Sequence, residues 1–404
     1  MGENHYLTRQ PVLNVDWHLL GFSIGVQGDG GVGADQPDPR LAGARTLLTA
    51  INSPGFARMV GQRRIFADLP REFLYQELDS FLNGAGSTLM LPQPDAEPGL
   101  EEAVRARRAE SFQVGFEVSG PGVDSELLGR TADVLRFELD RFPEPSTLTA
   151  TVSPFRSGGA AWLANGVHTQ EAFQRCRVLG FSMFQGSFFT KPTTFTSDVL
   201  SPRQLALIEL FRKLSSEADF AEVEATFKKH PDLAAHLLEL LNSAAFRRQK
   251  PIHSLRQALV GLGMRNLRRW VALLLLTDED GAEAQAALLD EALIRARTME
   301  LAAERIQPAD WFAGSAFLTA ILSVLEPVLK RPVEQLVEDL NLDQPIADAL
   351  AERKGQLGEL LATVEQLRDR RELPGEVIIG ETRFRSGDWF GYEEQAAFDN
   401  ALAN

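Results

Sequence analysis

Leu163 to Pro192, LANGVHTQEAFQRCRVLGFSMFQGSFFTKP, reads as strand, helix, strand. An apolar run ends at Val167, and Thr169 is placed to cap a helix whose apolar Phe173, Cys176 and Leu179 recur at a spacing of three. Gly180 stops that helix, and Phe181 to Phe189 resumes an extended, aromatic-rich pattern. Two strands joined by a helix of this length make a parallel β/α unit.

The same alternation runs upstream. Arg9 to Leu13 and Leu19 to Val26 read as extended segments, followed by a Gly/Asp/Pro loop from Gly28 to Pro39. No Lys-Ser/Thr follows that loop, which argues against a phosphate-binding loop. Leu41 to Ile51 has a helical pattern, and Ser53-Pro54 reads as a further helix start. Then come a strand at Arg64–Pro70, a helix at Glu72–Leu82, a strand at Thr88–Leu91, a helix at Leu100–Arg108 and a strand at Phe112–Val118. Between Leu139 and Ala160, Pro143, Pro145, Pro154, Gly158 and Gly159 predict no regular helix and a barrel flank that is altered or partly open.

Composition narrows the function classes. With 404 residues, two domains are the natural expectation. A formal charge of -15 argues against a nucleic-acid partner, which needs a concentrated basic face. The single cysteine, Cys176, excludes an intramolecular disulfide and reads as a buried, inert thiol. No signal peptide opens the chain and no apolar run is long enough for a membrane span, so a cytoplasmic protein is expected.

The phrase Leu179-Gly-Phe-Ser-Met-Phe-Gln-Gly-Ser-Phe-Phe-Thr-Lys-Pro192 resembles LGFDYFQGYFFSKP near the end of EAL domains, barrels that hydrolyse the bacterial messenger cyclic di-GMP. The opening Arg9-Gln10-Pro11 resembles that family's RQP, and Ala132 to Asp140 resembles its ADIIKIDFR. The resemblance also marks what has changed. Ser23 stands at the metal-binding glutamate of the signature and Asp68 at a metal-binding asparagine. Met90 to Gln93 stands where the family has a functional glutamate. Glu117 and Val118 replace paired aspartates, Arg136 replaces a lysine and Glu138 an aspartate. Asn165-Gly166-Val167-His168 stands in place of Glu-Lys-Val-Glu. Metal-assisted phosphodiester hydrolysis needs several converging carboxylate oxygens. Ser23, Val118 and His168 do not supply them, so these positions are read as a degenerate site in which Asp68, Glu117 and Glu138 are solvated or salt-bridged. His168 is expected on a surface loop, and no metal, cofactor or catalytic residue is expected. Arg9, Arg136 and Gln185 are the residues that could still meet phosphate or guanine.

From Ser201 the chain becomes helix after helix. Ser201-Pro-Arg-Gln204 and Ser254-Leu-Arg-Gln257 are capping boxes, the second opening a helix that should stop at Gly261–Gly263. His230 to Phe246 resembles DPALTARLLRLANSAAF, and Pro251 to Gly263 resembles ISSLRQALVRLG, both of the HDOD domain, a helical relative of HD phosphohydrolases. No His-Asp dipeptide is present, and Ser323-Val324 stands near where that metal-binding pair would lie.

The expected fold is therefore multidomain, α/β plus all-α: a degenerate TIM-like (β/α) barrel over residues 1–196, then an all-helical HDOD domain over 197–404. The short connection from Thr193 to Asp198 implies a fixed, apolar interface near Phe188 and Phe189. What the resemblance implies is a non-enzymatic signal-transduction or scaffold protein acting through protein partners, linked to cyclic di-GMP. Two alternatives stand beside it: a metal-independent cyclic di-GMP receptor, and an enzyme with relocated chemistry.

Overall fold

The computed structural model describes residues 5–28, 60, 63–75, 86–95, 97–190, 200–216, 219–242, 252, 254–277, 282–369 and 373–403. The readings at Gly28–Pro39 (beyond Gly28 itself), Leu41–Ile51, Ser53-Pro54 and the connection Thr193–Asp198 fall outside these, as does the later part of Glu72–Leu82.

Eight strands close a barrel in chain order. They are β1 (His5–Leu13), β2 (Leu19–Gly28), β3 (Arg64–Asp68), β4 (Ser87–Leu91), β5 (Gln113–Val118), β6 (Val134–Glu138), β7 (Ala161–Asn165) and β8 (Met183–Gln185). β1 runs antiparallel to both neighbours, and the other pairs are parallel. Period-two alternation sorts the side chains. Val12, Phe66, Met90, Val134, Leu163 and Met183 form one buried cluster inside the barrel. The intervening Ala67, Leu89, Leu91, Phe116, Val118, Leu135, Phe137, Ala164 and Phe184 join the larger core outside it. Glycine at 115 makes room for this filling, since a Cβ there would lie 2.4 Å from the Met90 sulfur.

The central stretch folds as read through its helix, Gln170–Leu179. Thr169 accepts a hydrogen bond from the Ala172 N–H at 3.2 Å, and Gly180 ends the helix at φ 107°. The last strand is shorter than the aromatic run. After Gln185 the chain turns into a short 3₁₀ segment, Phe188–Thr190. The turn is set by Gly186, whose φ is 145° and where a Cβ would lie 2.2 Å from the Val167 carbonyl oxygen. Phe188 then stacks on Phe173, with centroids 4.8 Å apart.

The proline-rich span corrects the sequence reading twice. It contains a regular helix, Pro145–Val152, and the barrel beside it is closed, with β6 and β7 paired from Val134↔Ala161 to Glu138↔Asn165. Pro145 occupies the first helical turn, where its missing N–H has no partner to lose, and Pro154 opens the 3₁₀ turn that follows. Position within the element, rather than proline count, decides the outcome.

The second part is helical. Both halves of the Ser201–Gln204 capping box form. Ser254 caps a helix that ends where the sequence places its stop, at Gly263, whose φ of 76° and ψ of 158° are non-helical, and a second helical stretch then runs on to Leu275. A two-stranded hairpin near the end, Glu376–Ile379 with Thr382–Arg385, was not anticipated. It buries Phe384 against Trp389. Among the described residues no helix is long and apolar enough to cross a membrane.

Helices Ala282–Ile306, Gly355–Arg368 and Ser386–Ala403 meet the barrel along β1 through apolar contacts, such as Tyr6 against Phe390 with ring centroids 6.2 Å apart, and through polar ones. Leu7 N–H donates to Glu394 at 3.2 Å, Arg9 pairs with Asp290 at 2.5 Å, and Gln10 Nε2 donates to the Arg368 carbonyl at 2.8 Å. Near the junction the 3₁₀ segment Phe188–Thr190 contacts the short helix Glu326–Leu329, and the buried Phe188 and Phe189 belong to one apolar cluster that joins the barrel and helical cores, as the expected apolar interface requires; the ion pairs along β1 add to it.

Candidate functional site at the barrel mouth

Side chains at the C-terminal ends of β/α-barrel strands gather at one face, where sites of this architecture lie. Asp68 ends β3, Glu117 lies one residue from the end of β5, and Arg136 and Glu138 belong to β6. The register sets Glu117 directly opposite Arg136, and Glu138 opposite Asn165. Arg136 is the centre of the group: its two Nη atoms hydrogen-bond separate carboxylates, and its Nε, which makes no hydrogen bond, faces a third. Nη1 pairs with Asp68, Nη2 with Glu117 at 2.5 Å, and Nε approaches Glu138 at 3.3 Å. Asn165 Nδ2 donates to both Glu138 oxygens at 2.8 Å.

Arg136 is 5% exposed, while the three carboxylate side chains are each 25% exposed. Burial by itself lowers an arginine pKa, but the fields of Asp68, Glu117 and Glu138 outweigh it and hold Arg136 above its ordinary value. The guanidinium is a permanent cation. Three carboxylates against one guanidinium leave the mouth with an anionic balance.

The other expected site residues lie elsewhere. Ser23 is fully buried on β2, its hydroxyl without a hydrogen-bond partner. Val118 points into the outer core. Gln185 Nε2 donates to Gln10 Oε1 at 2.6 Å, and Gln10 in turn reaches the helical part. Arg9 lies over the Phe22 ring at 4.2 Å and is paired with Asp290, outside the Arg136 group. His168 is a correction: it is not a surface histidine. Its Nδ1 lies 3.2 Å from Ser187 Oγ and 3.3 Å from Asp369, because the helical part is seated over its loop. Cys176 is buried, and burial pushes its thiol up to about 11.

Sequence reasoning missed a second ionic group. Arg368, at the end of Gly355–Arg368, pairs with Glu291 at 2.5 Å and with Glu393, and donates to the Arg9 carbonyl at 3.3 Å. Arg295 pairs with Glu291 and donates to Ser323 Oγ at 3.0 Å. Burial pushes the Glu291 carboxyl up, but Arg368 and Arg295 overcome this and hold it below the usual carboxylate range. The signal was present in ALLDEALIRA, where Glu291 and Arg295 sit four apart within an apolar helical face.

The resemblance implies a divalent metal at the barrel mouth, and the residues present do not fit one. The place between the carboxylates is taken by the Arg136 guanidinium, and a second cation there would face it directly. Among the described residues, no group of three or more His, Cys, Asp or Glu side chains could hold a metal ion.

Residues 204–329 match the HDOD domain. The protein named cyclic di-GMP phosphodiesterase CdgJ, from Vibrio cholerae, is 28% identical over 96% of this chain and 87% of its own length. YuxH of Bacillus subtilis, itself uncharacterised, is 22% identical over 89% of this chain and 90% of its own. Among solved structures, a standalone EAL protein from Vibrio cholerae in its c-di-GMP-bound form matches 47% of this chain and 93% of its own, at 15% identity and a TM-score of 0.37. An EAL domain protein from Listeria monocytogenes matches 46% of this chain and 87% of its own, at 16% identity and a TM-score of 0.36.

The relative named a phosphodiesterase overturns the expectation that this chain is not an enzyme. A closed eight-stranded barrel followed by a helical region with an HDOD domain at 204–329 supports the EAL–HDOD architecture that the sequence resembles.

Proposed function

We propose that the chain acts in cyclic di-GMP signalling and engages the dinucleotide at the mouth of its barrel. The observation that carries this reading is the convergence of Asp68, Glu117, Glu138 and Arg136 at the C-terminal ends of the strands. The relative named a cyclic di-GMP phosphodiesterase, matched over nearly the whole chain, supplies the ligand class. Chemically, the guanine edge offers N–H donors to carboxylate lone pairs, and Arg136 is the cation a phosphodiester oxygen would meet. The division into a barrel unit, 1–196, and a helical unit, 197–404, belongs to the same reading.

Calorimetric titration with cyclic di-GMP, with and without Mg²⁺, tests it alongside chromatography for the linear dinucleotide product. Saturable binding or turnover that weakens in Glu117→Gln is expected. Neither heat nor product across the titration rejects the reading.

A second role, contact with protein partners, is favoured by the helical unit's surface, where Leu205, Phe220, Val260 and Trp311 are exposed. Trp311, 58% exposed beside Phe312, is the largest of these. Substituting Trp311→Asp should reduce recovery of partners cross-linked to the full chain in native extract. Unchanged recovery counts against this surface.

A further inference from the structure

We propose that Arg136 is the resident cation of the barrel mouth, holding by covalent tether the place that a divalent ion would otherwise take and excluding such ions from it. Three observations carry this. The guanidinium faces three carboxylates from three strands: Nη1 and Nη2 hydrogen-bond Asp68 and Glu117, and Nε lies 3.3 Å from Glu138 without a hydrogen bond, so one cation sits where a metal ion would gather the same three groups. The cation is nearly sealed while its partners are partly open to water, so solvent ions reach the carboxylates' outer edges but not the space between them. Asn165 commits both oxygens of Glu138 from the far side, fixing the third carboxylate toward the arginine.

A divalent ion needs about six oxygen ligands at roughly 2.0–2.6 Å. Reaching even three here means displacing a group that is always charged and carried on the same strand as one of its partners. A free ion leaves with dilution or chelation; Arg136 does not. The mouth therefore keeps the same charge arrangement whatever the Mg²⁺ or Mn²⁺ concentration. Arginine suits the post better than lysine, since its planar fork addresses three acceptors at once and a single ammonium does not. The inference stands apart from the dinucleotide reading, because its test contains no nucleotide.

The experiment is a Mn²⁺ titration of the full chain, followed by calorimetry and by the paramagnetic signal of free Mn²⁺. The wild-type protein should show no saturable site at the mouth. Arg136→Gln should gain one saturable Mn²⁺ site per chain, abolished again in Arg136→Gln/Glu117→Gln. A wild-type site that disappears in Glu117→Gln overturns the proposal, as does a folded Arg136→Gln protein that gains no site. If Arg136→Gln folds only when Mn²⁺ is added, the proposal is supported. If it folds under neither condition, the wild-type titration decides: a saturable site lost on Glu117→Gln overturns the proposal, and its absence upholds it.

Discussion

Arg136 and Arg368 are both nearly buried and both sit among carboxylates, yet they occupy opposite kinds of place. Arg136 stands at the barrel mouth with partners that water still reaches. Arg368 lies where strand β1 meets three helices, and Glu291 and Glu393 are each 6% exposed in their side chains. The difference lies in the partners. An ion group whose acceptors touch solvent can exchange one of them for a ligand at modest cost. A group sealed on every side holds two parts of the chain together, and opening it strands a charge in a medium that cannot solvate it.

The sharpest way to break that comparison is Arg368→Met. It leaves Glu291 and Glu393 buried with Arg295 as the remaining nearby cation, and it removes the bond to the Arg9 carbonyl. A loss of about 3–5 kcal/mol in unfolding free energy is expected, read by urea denaturation of the full chain. A loss below about 1 kcal/mol would falsify the sealed-clamp description.

Arg136→Gln comes next. Its carboxylates can rehydrate, so a cost of about 1–2 kcal/mol is expected, between that of surface and buried pairs. Should the same denaturation series rank it above Arg368→Met, solvent access to the partners is not what separates the two groups.

Acid separates them further. Glu291 has a folded-state pKa below its unfolded value, so its contribution is complete above the ordinary carboxylate pKa of about 4.3 and is lost as pH falls through the depressed folded value. The stability gap between wild type and Glu291→Gln should therefore narrow on acidification below about pH 4 and stay constant from about pH 6 to 8. A gap that widens on acidification would show that the arginines do not hold Glu291 ionised.

The smallest effect calibrates the scale. Thr169→Ala removes an ordinary helix cap outside both groups and should cost about 1 kcal/mol by the same measurement. If it costs as much as Arg368→Met, the method is reporting general fragility instead of the ionic seam.

Much of the fold was legible because its signals are local. Thr169 and Gly180 bound one helix, and the Ser201–Gln204 box opens another, where the spacing places them. The failures share a cause. By composition Pro145 reads as a breaker, because nothing local in the sequence shows that it falls in a first helical turn. His168 reads as a surface residue because nothing nearby in sequence reveals that Asp369 comes to lie over it.

For the candidate site, the sequence by itself determined the residue types and their strands. Period-two alternation puts Asp68, Glu117, Arg136 and Glu138 among the positions that face the barrel interior and its mouth. It could not determine who pairs with whom. Arg136 meets Asp68 across 68 residues of chain, Arg368 meets Glu291 across 77, and Arg9 meets Asp290 across 281. Hydrogen bonds and ion pairs act over a few ångströms, whereas caps, alternation and glycine turns are written within a few residues. Only the closed barrel and the helices seated on β1 convert those long separations into contact, so the charge balance of the mouth and the clamp beside it are properties of the tertiary structure.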